Sequence, residues 1–319
     1  MQPSQRVFVT RRLPGDAVAR LAEHAQVDLW PGEMPPPYDE LARRAAESDG
    51  IVCLLTDRID AALIAGAPRL KVISNVAVGY DNIDVAAASA RGIPVGNTPG
   101  VLTETTADLA FALLLACARR ITEAERFVRD GRWRTWDPNL LLGYDVHGAT
   151  LGIVGYGKIG QAMARRAAGF GMRVLYASRH AAGADAPPAT HVPLDDLLRM
   201  SDFVSLHVPL TPETERMIGE PQLRSMKQTA FLINTARGGV IEQAALVRAL
   251  EEGWIAGSGL DVAQVEPVPA GDPLLRAPNV VLLPHIGSAS HATRERMASM
   301  AVENCIAGLR GEPLPHCVS

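Results

Sequence analysis

Along the first third of the chain, short apolar runs alternate with stretches whose apolar residues recur at helical spacing. Arg6–Thr10 (RVFVT), Val27–Trp30, Ile51–Leu55, Lys71–Asn75 and Ile93–Asn97 read as strands, and Gly15–His24 and Tyr38–Glu47 as helices, with the proline-rich PGEMPPP as a loop. Strands separated by helix-length segments predict parallel β/α units. From Thr103 to Arg119 the pattern changes: LAFALLLACA is apolar nearly all round, which predicts a buried helix. Asp130–His147 has no clear period and carries Trp133 and Trp136, as a packed loop or a contact between subunits would. A second β/α run follows, with strands predicted at Thr150–Val154, Arg173–Tyr176, Phe203–Val208, Ala230–Asn234, Ile255–Asp261 and Val280–Leu283, and a last helix over His291–Leu309. The pattern predicts an α/β protein with two doubly wound parallel sheets. The expected boundaries are 1–99 with 290–319 for one domain and 100–289 for the other, the short C-terminal stretch packing back on the first.

Composition narrows this picture. Of 319 residues, 47% are hydrophobic and 21% charged, which is the balance of a globular chain. The formal net charge of -4 predicts no general affinity for nucleic acid. No stretch approaches a membrane span, and MQPSQRVFVTRR lacks the apolar segment of a signal peptide. Cys53, Cys117, Cys305 and Cys317 have no metal-ligand spacing, so no metal is expected; Cys53 and Cys117, in apolar runs, read as small core residues. A cytoplasmic location is the expectation.

The most specific local signal is Gly155-Tyr156-Gly157-Lys158-Ile159-Gly160, a G-x-G-x-x-G turn after an apolar strand and before a helix. Its glycines allow a tight turn, close approach to a pyrophosphate and close helix–strand packing, and the helix amides then face phosphate charge. In the NAD version an acid about 20 residues on accepts from the ribose hydroxyls. Here that slot is Ala177, followed by Ser178 and Arg179 with His180 beside them. A hydroxyl and a guanidinium suit a 2′-phosphate, so NADP(H) is the preferred cofactor, with NAD(H) kept as the alternative. The bland reading of Arg179 is an exposed residue at a strand end.

Three further segments stand at predicted strand ends: Asn234-Thr-Ala-Arg237, Gly259-Leu-Asp261 with Glu266-Pro, and Pro284-His285-Ile-Gly287. Carboxyl ends of strands face the ligand crevice in doubly wound sheets. An Arg, a Glu and a His could therefore converge near the nicotinamide. Leu54, just after the Ile51 strand, is placed to line the same cleft. His207 and Pro209 either flank the adenosine or are plain strand-end packing.

With NVAVGYDNID (Asn75–Asp84), NTPGVLTETTADLAFALLL (Asn97–Leu115), the glycine turn, NTARGG, GLDV with its EP, and LPHIGSAS, the chain resembles the D-isomer-specific 2-hydroxyacid dehydrogenase family, nearest its glyoxylate/hydroxypyruvate reductases. The resemblance implies a Rossmann-type cofactor domain and a flavodoxin-like substrate domain. It implies that Arg237 binds and polarises a 2-oxo acid, that His285 donates the proton in reduction, and that Glu266 is its partner. It places backbone N–H groups of the Val76–Gly79 loop, at Val78 and Gly79, on the substrate carboxylate. It sets Thr106, Asp261, His285 and Gly287 near the cofactor, although Asp261 could be purely structural. Tyr156, Lys158 and Ile159 fill the turn, and Thr235 and Ala236, with Arg237, cover the nicotinamide ribose side. The implied reaction is NADPH-driven reduction of glyoxylate or hydroxypyruvate to a D-2-hydroxy acid. D-3-phosphoglycerate and 2-ketogluconate dehydrogenases are the enzymatic alternatives, and a dinucleotide-sensing corepressor-like protein is the alternative of another class. The family also implies a homodimer, with the contact expected at the Trp133–Tyr144 arm and the Thr103–Arg119 helix.

Overall fold

Strands that are apolar on both faces need a helical layer on each side, and both sheets of this protein are built that way. The structure is a computed structural model that describes residues 5–318. The chain forms two units, one running to Leu102 and resuming at Ser288, the other spanning Thr103–Gly287.

Unit 1 comprises β1 (Arg6–Val9), α1 (Ala17–Ala22), β2 (Gln26–Leu29), α2 (Tyr38–Ala46), β3 (Gly50–Cys53), α3 (Ala61–Gly66), β4 (Val72–Asn75), α4 (Val85–Ala90) and β5 (Val95–Gly96), closed by the C-terminal helix His291–Arg310. The strands are parallel in the order β2-β1-β3-β4-β5, a flavodoxin-like sheet. Alternation along each strand splits the core. Val7, Val9, Val52 and Val72 pack with Leu21, Met297 and Val302, whereas Phe8, Ile51, Cys53 and Ile73 pack with Leu41, Leu63 and Ala88. Each buried Val, Leu, Ile, Phe or Met among them contributes about 1.5–3 kcal/mol. Asp60 and Asp84 cap α3 and α4, accepting from the amides of Leu63 and Ala87.

Unit 2 comprises α5 (Thr103–Ala118), α6 (Ile121–Arg129), β6 (Thr150–Val154), α7 (Lys158–Gly169), β7 (Arg173–Ala177), β8 (Thr190–His191), α8 (Leu194–Met200), β9 (Phe203–Leu206), α9 (Glu220–Ser225), β10 (Phe231–Asn234), α10 (Gln243–Glu251), β11 (Gly257–Leu260) and β12 (Val280–Leu282). Its parallel order β12-β11-β10-β9-β6-β7-β8 is the dinucleotide-binding order with one more strand at the β12 edge. β6 and β9 run parallel, and the order in which strands are added to the sheet reverses between them, the topological switch point.

Two elements go beyond those predicted. Helix α6 is not foreseen, although Ile121, Ala124, Phe127 and Val128 recur at helical spacing; none of its residues is buried, and Ile121 and Val128 face solvent. Strand β8 has two residues, too few to show alternation. Helix α5 is buried as its sequence predicts: Ala110, Phe111, Leu113, Leu114 and Cys117 lie in the core of unit 2, together with β6, β7 and β10 residues. Exposed apolar surface lies on Trp133, Trp136, Leu142 and Tyr144. Cys53, Cys117 and Cys305 are buried thiols, and burial pushes Cys117 and Cys305 up to about 12, which keeps them unreactive.

Candidate active site

The glycine turn sits over the switch point. The Gly155 amide donates to Ala177 O at 2.9 Å, and the His207 amide to Val154 O at 2.7 Å, so the ends of β7 and β9 flank the end of β6. Gly155 has φ +93°, and a Cβ there would lie 2.6 Å from His207 O; one on Gly160 would lie 2.2 Å from Gly155 O. Both glycines are required by protein packing. Gly157 differs, because a Cβ there meets no heavy atom within 4 Å. It is also the N-cap of α7, and no side chain caps that helix. The first helix amides therefore have no intrahelical acceptor and no capping side chain, as an anion-binding terminus requires. Tyr156 is buried, Lys158 is exposed and Ile159 is half-buried. A dinucleotide pyrophosphate fits this turn.

At the end of β7, Ala177 is buried and Ser178 and Arg179 emerge toward solvent. Ser178 Oγ donates to His180 O. The charge of Arg179 acts on Glu213, contributing to that carboxyl lying below its ordinary value, behind a hydrogen bond from Thr211. His207 Nε2 lies 2.9 Å from Ser205 Oγ, and burial pushes its pKa down to about 4. Pro209 is exposed, and its carbonyl accepts from Thr214 Oγ1 at 2.6 Å.

The ends of β10 and β11 hold the remaining groups. Asn234 braces the next loop: its Nδ2 donates to Arg237 O at 2.9 Å and its Oδ1 accepts from the Ala236 amide at 3.0 Å. Arg237 is half-buried, its Nη1 donating to Ala236 O. Thr235 Oγ1 is buried with no hydrogen-bond partner, a hydroxyl left over beside the strand end. Asp261 receives three successive amides. His285 N–H goes to its carbonyl (2.9 Å), Ile286 N–H to Oδ1 (2.7 Å) and Gly287 N–H to Oδ2 (2.6 Å). Burial raises the Asp261 carboxyl, outweighing those donors and the His285 charge. Thr106 packs against the same turn, 3.5 Å from where a Gly287 Cβ would stand.

His285 has φ +56°, a left-handed conformation that a non-glycine residue adopts at a cost of about 1–3 kcal/mol. Its Nδ1 lies 2.7 Å from Glu266 Oε2, and Glu266 Oε1 accepts from the Ala263 amide at 3.0 Å. Burial raises the Glu266 carboxyl, but the hydrogen bond and charge of His285, the Ala263 amide and the Arg237 charge together hold it below its ordinary value. Nδ1 is thus engaged, and Nε2 has no hydrogen-bond partner among the described residues. Arg237, Glu266 and His285 stand in one unit, at the carboxyl ends of neighbouring strands.

These features match known proteins over the whole chain. A family model for the NAD binding domain of D-isomer specific 2-hydroxyacid dehydrogenases matches residues 111–287. A glyoxylate reductase of Korarchaeum cryptofilum is 57% identical over 317 residues, covering 98% of this chain and 96% of the relative. The chain belongs to the D-isomer specific 2-hydroxyacid dehydrogenase family. A crystal structure of a Thermus thermophilus protein superposes with a TM-score of 0.94 at 50% identity, covering 98% of this chain and all of that one. An NADPH-dependent glyoxylate/hydroxypyruvate reductase of Sinorhizobium meliloti, solved with NADP and malonate, gives a TM-score of 0.89 at 35% identity, covering 100% of this chain and 97% of that one. This chain is therefore an NAD(P)-dependent 2-hydroxyacid dehydrogenase.

Within unit 1, the remaining predicted residues of this dehydrogenase sit after β3 and β4. Leu54 follows β3; Val78 and Gly79 follow β4 and are half-buried. Three asparagines that the motif reading passed over hold these loops. Asn97 Nδ2 donates to Val78 O (2.8 Å), Asn75 Nδ2 to Gly79 O (2.9 Å), and Asn82 Nδ2 to Leu54 O (3.0 Å). With the carbonyls tied back, the loop's amides are the groups left to meet an anion. Their signal lay in the quoted NVAVGYDNID and NTPG segments, but only coordinates pair each amide with its carbonyl. Among the described residues no group of three or more His, Cys, Asp or Glu is arranged to hold a metal, and no helix is long and apolar enough to cross a membrane.

Proposed function

We propose that this enzyme reduces small 2-oxo acids, glyoxylate and hydroxypyruvate, to D-2-hydroxy acids with NADPH preferred over NADH. Unit 2 is the dinucleotide-binding domain and unit 1 the substrate-binding domain. The observation that carries the reading is the His285–Glu266 pair, with Nδ1 held at 2.7 Å and Nε2 unpaired among the described residues. The bound nicotinamide supplies the hydride. His285 supplies the proton to the substrate oxygen from Nε2, while Glu266 fixes the ring and stabilises its protonated form. Such proton transfer contributes about 10²–10⁴-fold. Arg237, permanently charged and planar, binds the 2-oxo acid and polarises its keto group. The amides of Val78 and Gly79 take the substrate carboxylate, and Leu54 lines the site. Gly155, Gly157, Gly160 and the amides of Lys158 and Ile159 hold the pyrophosphate, and Ser178 with Arg179 takes the 2′-phosphate. Thr106, Thr235, Ala236, Asp261 and Gly287 border the nicotinamide side, and His207 and Pro209 the adenosine. Glyoxylate reductase names among the relatives support the substrate, and the NADPH-dependent neighbour supports the cofactor.

The test follows the nicotinamide absorbance with glyoxylate and both cofactors. His285→Ala should retain the fold and lose about two to four decades of kcat. Near-wild-type turnover by that variant would remove His285 as the acid. A wild type that prefers NADH would remove the cofactor assignment. A homodimer is the second part of the reading, supported by the exposed row Trp133, Trp136, Leu142 and Tyr144, with Ile121 and Val128 of α6.

A further inference from the structure

Three aromatic rings stack at the adenosine end of unit 2. Tyr156, inside the glycine turn, lies 4.2 Å from Tyr176 at 20°, and Tyr176 lies 4.8 Å from His191 at 15°. The last pair is a direct register pair of β7 and β8, Tyr176 opposite His191. Tyr156 and Tyr176 are buried, and Tyr156 Oη is anchored on Pro187 O at 2.9 Å. The stack therefore joins the phosphate turn to the edge strand.

Two bonds run from this stack to the loop that carries Arg179. His191 Nε2 lies 3.1 Å from Ser178 O, and the Ala182 amide donates to Tyr176 Oη at 3.0 Å. A carbonyl only accepts, so His191 Nε2 carries the proton of that bond. The segment from Ser178 to Ala182 is pinned at both ends, with Arg179 between the pins. We propose that His191 is a positioning residue for cofactor discrimination: its Nε2–H fixes the Ser178 carbonyl and so presents Ser178 and Arg179 to the phosphate that distinguishes NADPH from NADH. This rests on the reading that Ser178 and Arg179 take the 2′-phosphate. A pinned loop need not be ordered when the ligand arrives, so its benefit falls only on a ligand that uses the loop. The pyrophosphate turn, held by its own glycines, keeps its geometry without it.

The test measures dissociation constants of NADP⁺ and NAD⁺ by titration calorimetry, with kcat and KM alongside. His191→Phe keeps a ring for the stack and removes the donor. It should weaken NADP⁺ roughly three- to tenfold, the worth of one net hydrogen bond, with NAD⁺ within about twofold and kcat at saturating NADPH unchanged. His191→Gln, which restores an N–H, should recover at least half of that loss. Tyr176→Phe, which removes only the second pin, should act in the same direction. Equal weakening of both cofactors, or no weakening of either by His191→Phe, overturns the proposal. Arg179→Ala separates the two failures. If it abolishes discrimination while His191→Phe does nothing selective, only the positioning role falls. If Arg179→Ala leaves discrimination intact, the phosphate assignment falls and takes the positioning role with it.

Discussion

Replacing Asp261 by Asn tests how His285, the proposed proton donor, is held. The wild-type carboxylate offers two oxygens to two amides, Ile286 N–H at 2.7 Å and Gly287 N–H at 2.6 Å. An Asn keeps one oxygen and turns an NH₂ toward the other amide, setting donor against donor. Asp261 is 1% exposed, so neither group can turn to water. One charge-assisted hydrogen bond lost is about 1.5–3 kcal/mol, and the stranded donors add about 1–3 more. Relief of the buried charge, whose pKa is already raised by burial, returns part of this. A net loss of about 2–4 kcal/mol is expected, or roughly 5–15 °C in Tm for a unit of this size. The same change loosens the turn that keeps His285 at φ +56°. Released, His285 relaxes toward ordinary backbone and draws its ring away from Glu266; a misplacement of about 1 Å costs on the order of 10²-fold in rate. Thermal unfolding followed by ellipticity, with glyoxylate turnover below the midpoint, reads both effects. A variant that melts within about 2 °C of wild type and turns over normally would refute the idea that Asp261 holds this turn.

The two inner glycines should separate. Gly160→Ala places a Cβ 2.2 Å from a backbone oxygen and should destabilise unit 2 by about 1–3 kcal/mol or more, whereas Gly157→Ala, with open space around its Cβ, should melt like wild type yet bind cofactor more weakly. Equal melting of the two variants would contradict this. His207 should set part of the acid limb of stability. Its folded pKa is near 4 against about 6.5 unfolded, so the unfolded chain takes the proton first and stability falls as pH drops from about 6.5 to 4, then levels. The ceiling is about 3 kcal/mol, less because the ring keeps some solvent contact, and urea midpoints at pH 7.5 and 5 should differ less in His207→Gln than in wild type. An unchanged difference would count against it. Trp133→Glu with Trp136→Glu should shift sedimentation from twice the chain mass to the chain mass if the exposed row is the dimer contact; an unaltered dimer would place the contact elsewhere.

Much of the architecture was legible because parallel strands buried on both faces read as continuous apolar runs, as in Phe203–Leu206 and Phe231–Asn234. The glycine turn was legible for the same local reason: Gly155 and Gly160 are demanded by contacts within a few residues or at the adjoining strand end. Arg237, Glu266 and His285 could be nominated from strand ends, since a strand end fixes which edge a residue occupies. What stayed hidden depends on pairing across long separations. Nothing local marks Asp261 as the acceptor of three amides more than twenty residues away, or His285 as left-handed. Strand β8 and helix α6 stayed hidden for other reasons. Strand β8 is too short to show a period, whereas α6 carries Ile121, Ala124, Phe127 and Val128 at helical spacing but follows α5 after two residues and buries none of them.

The bonds of His285 to Asp261 and Glu266, and that of Glu266 to the Ala263 amide, all lie within Thr103–Gly287, whereas the carbonyls of Val78 and Gly79 are held by asparagines of the other unit. On the proposed assignment the proton donor lies in one stretch of chain and the carboxylate-binding loop in another, with Arg237 the substrate contact on the donor's side. If that assignment holds, libraries randomised around Leu54 and Val78 can be selected for new oxo acids with Glu266 and His285 kept fixed, and a lineage could diversify its diet by drift in unit 1 alone.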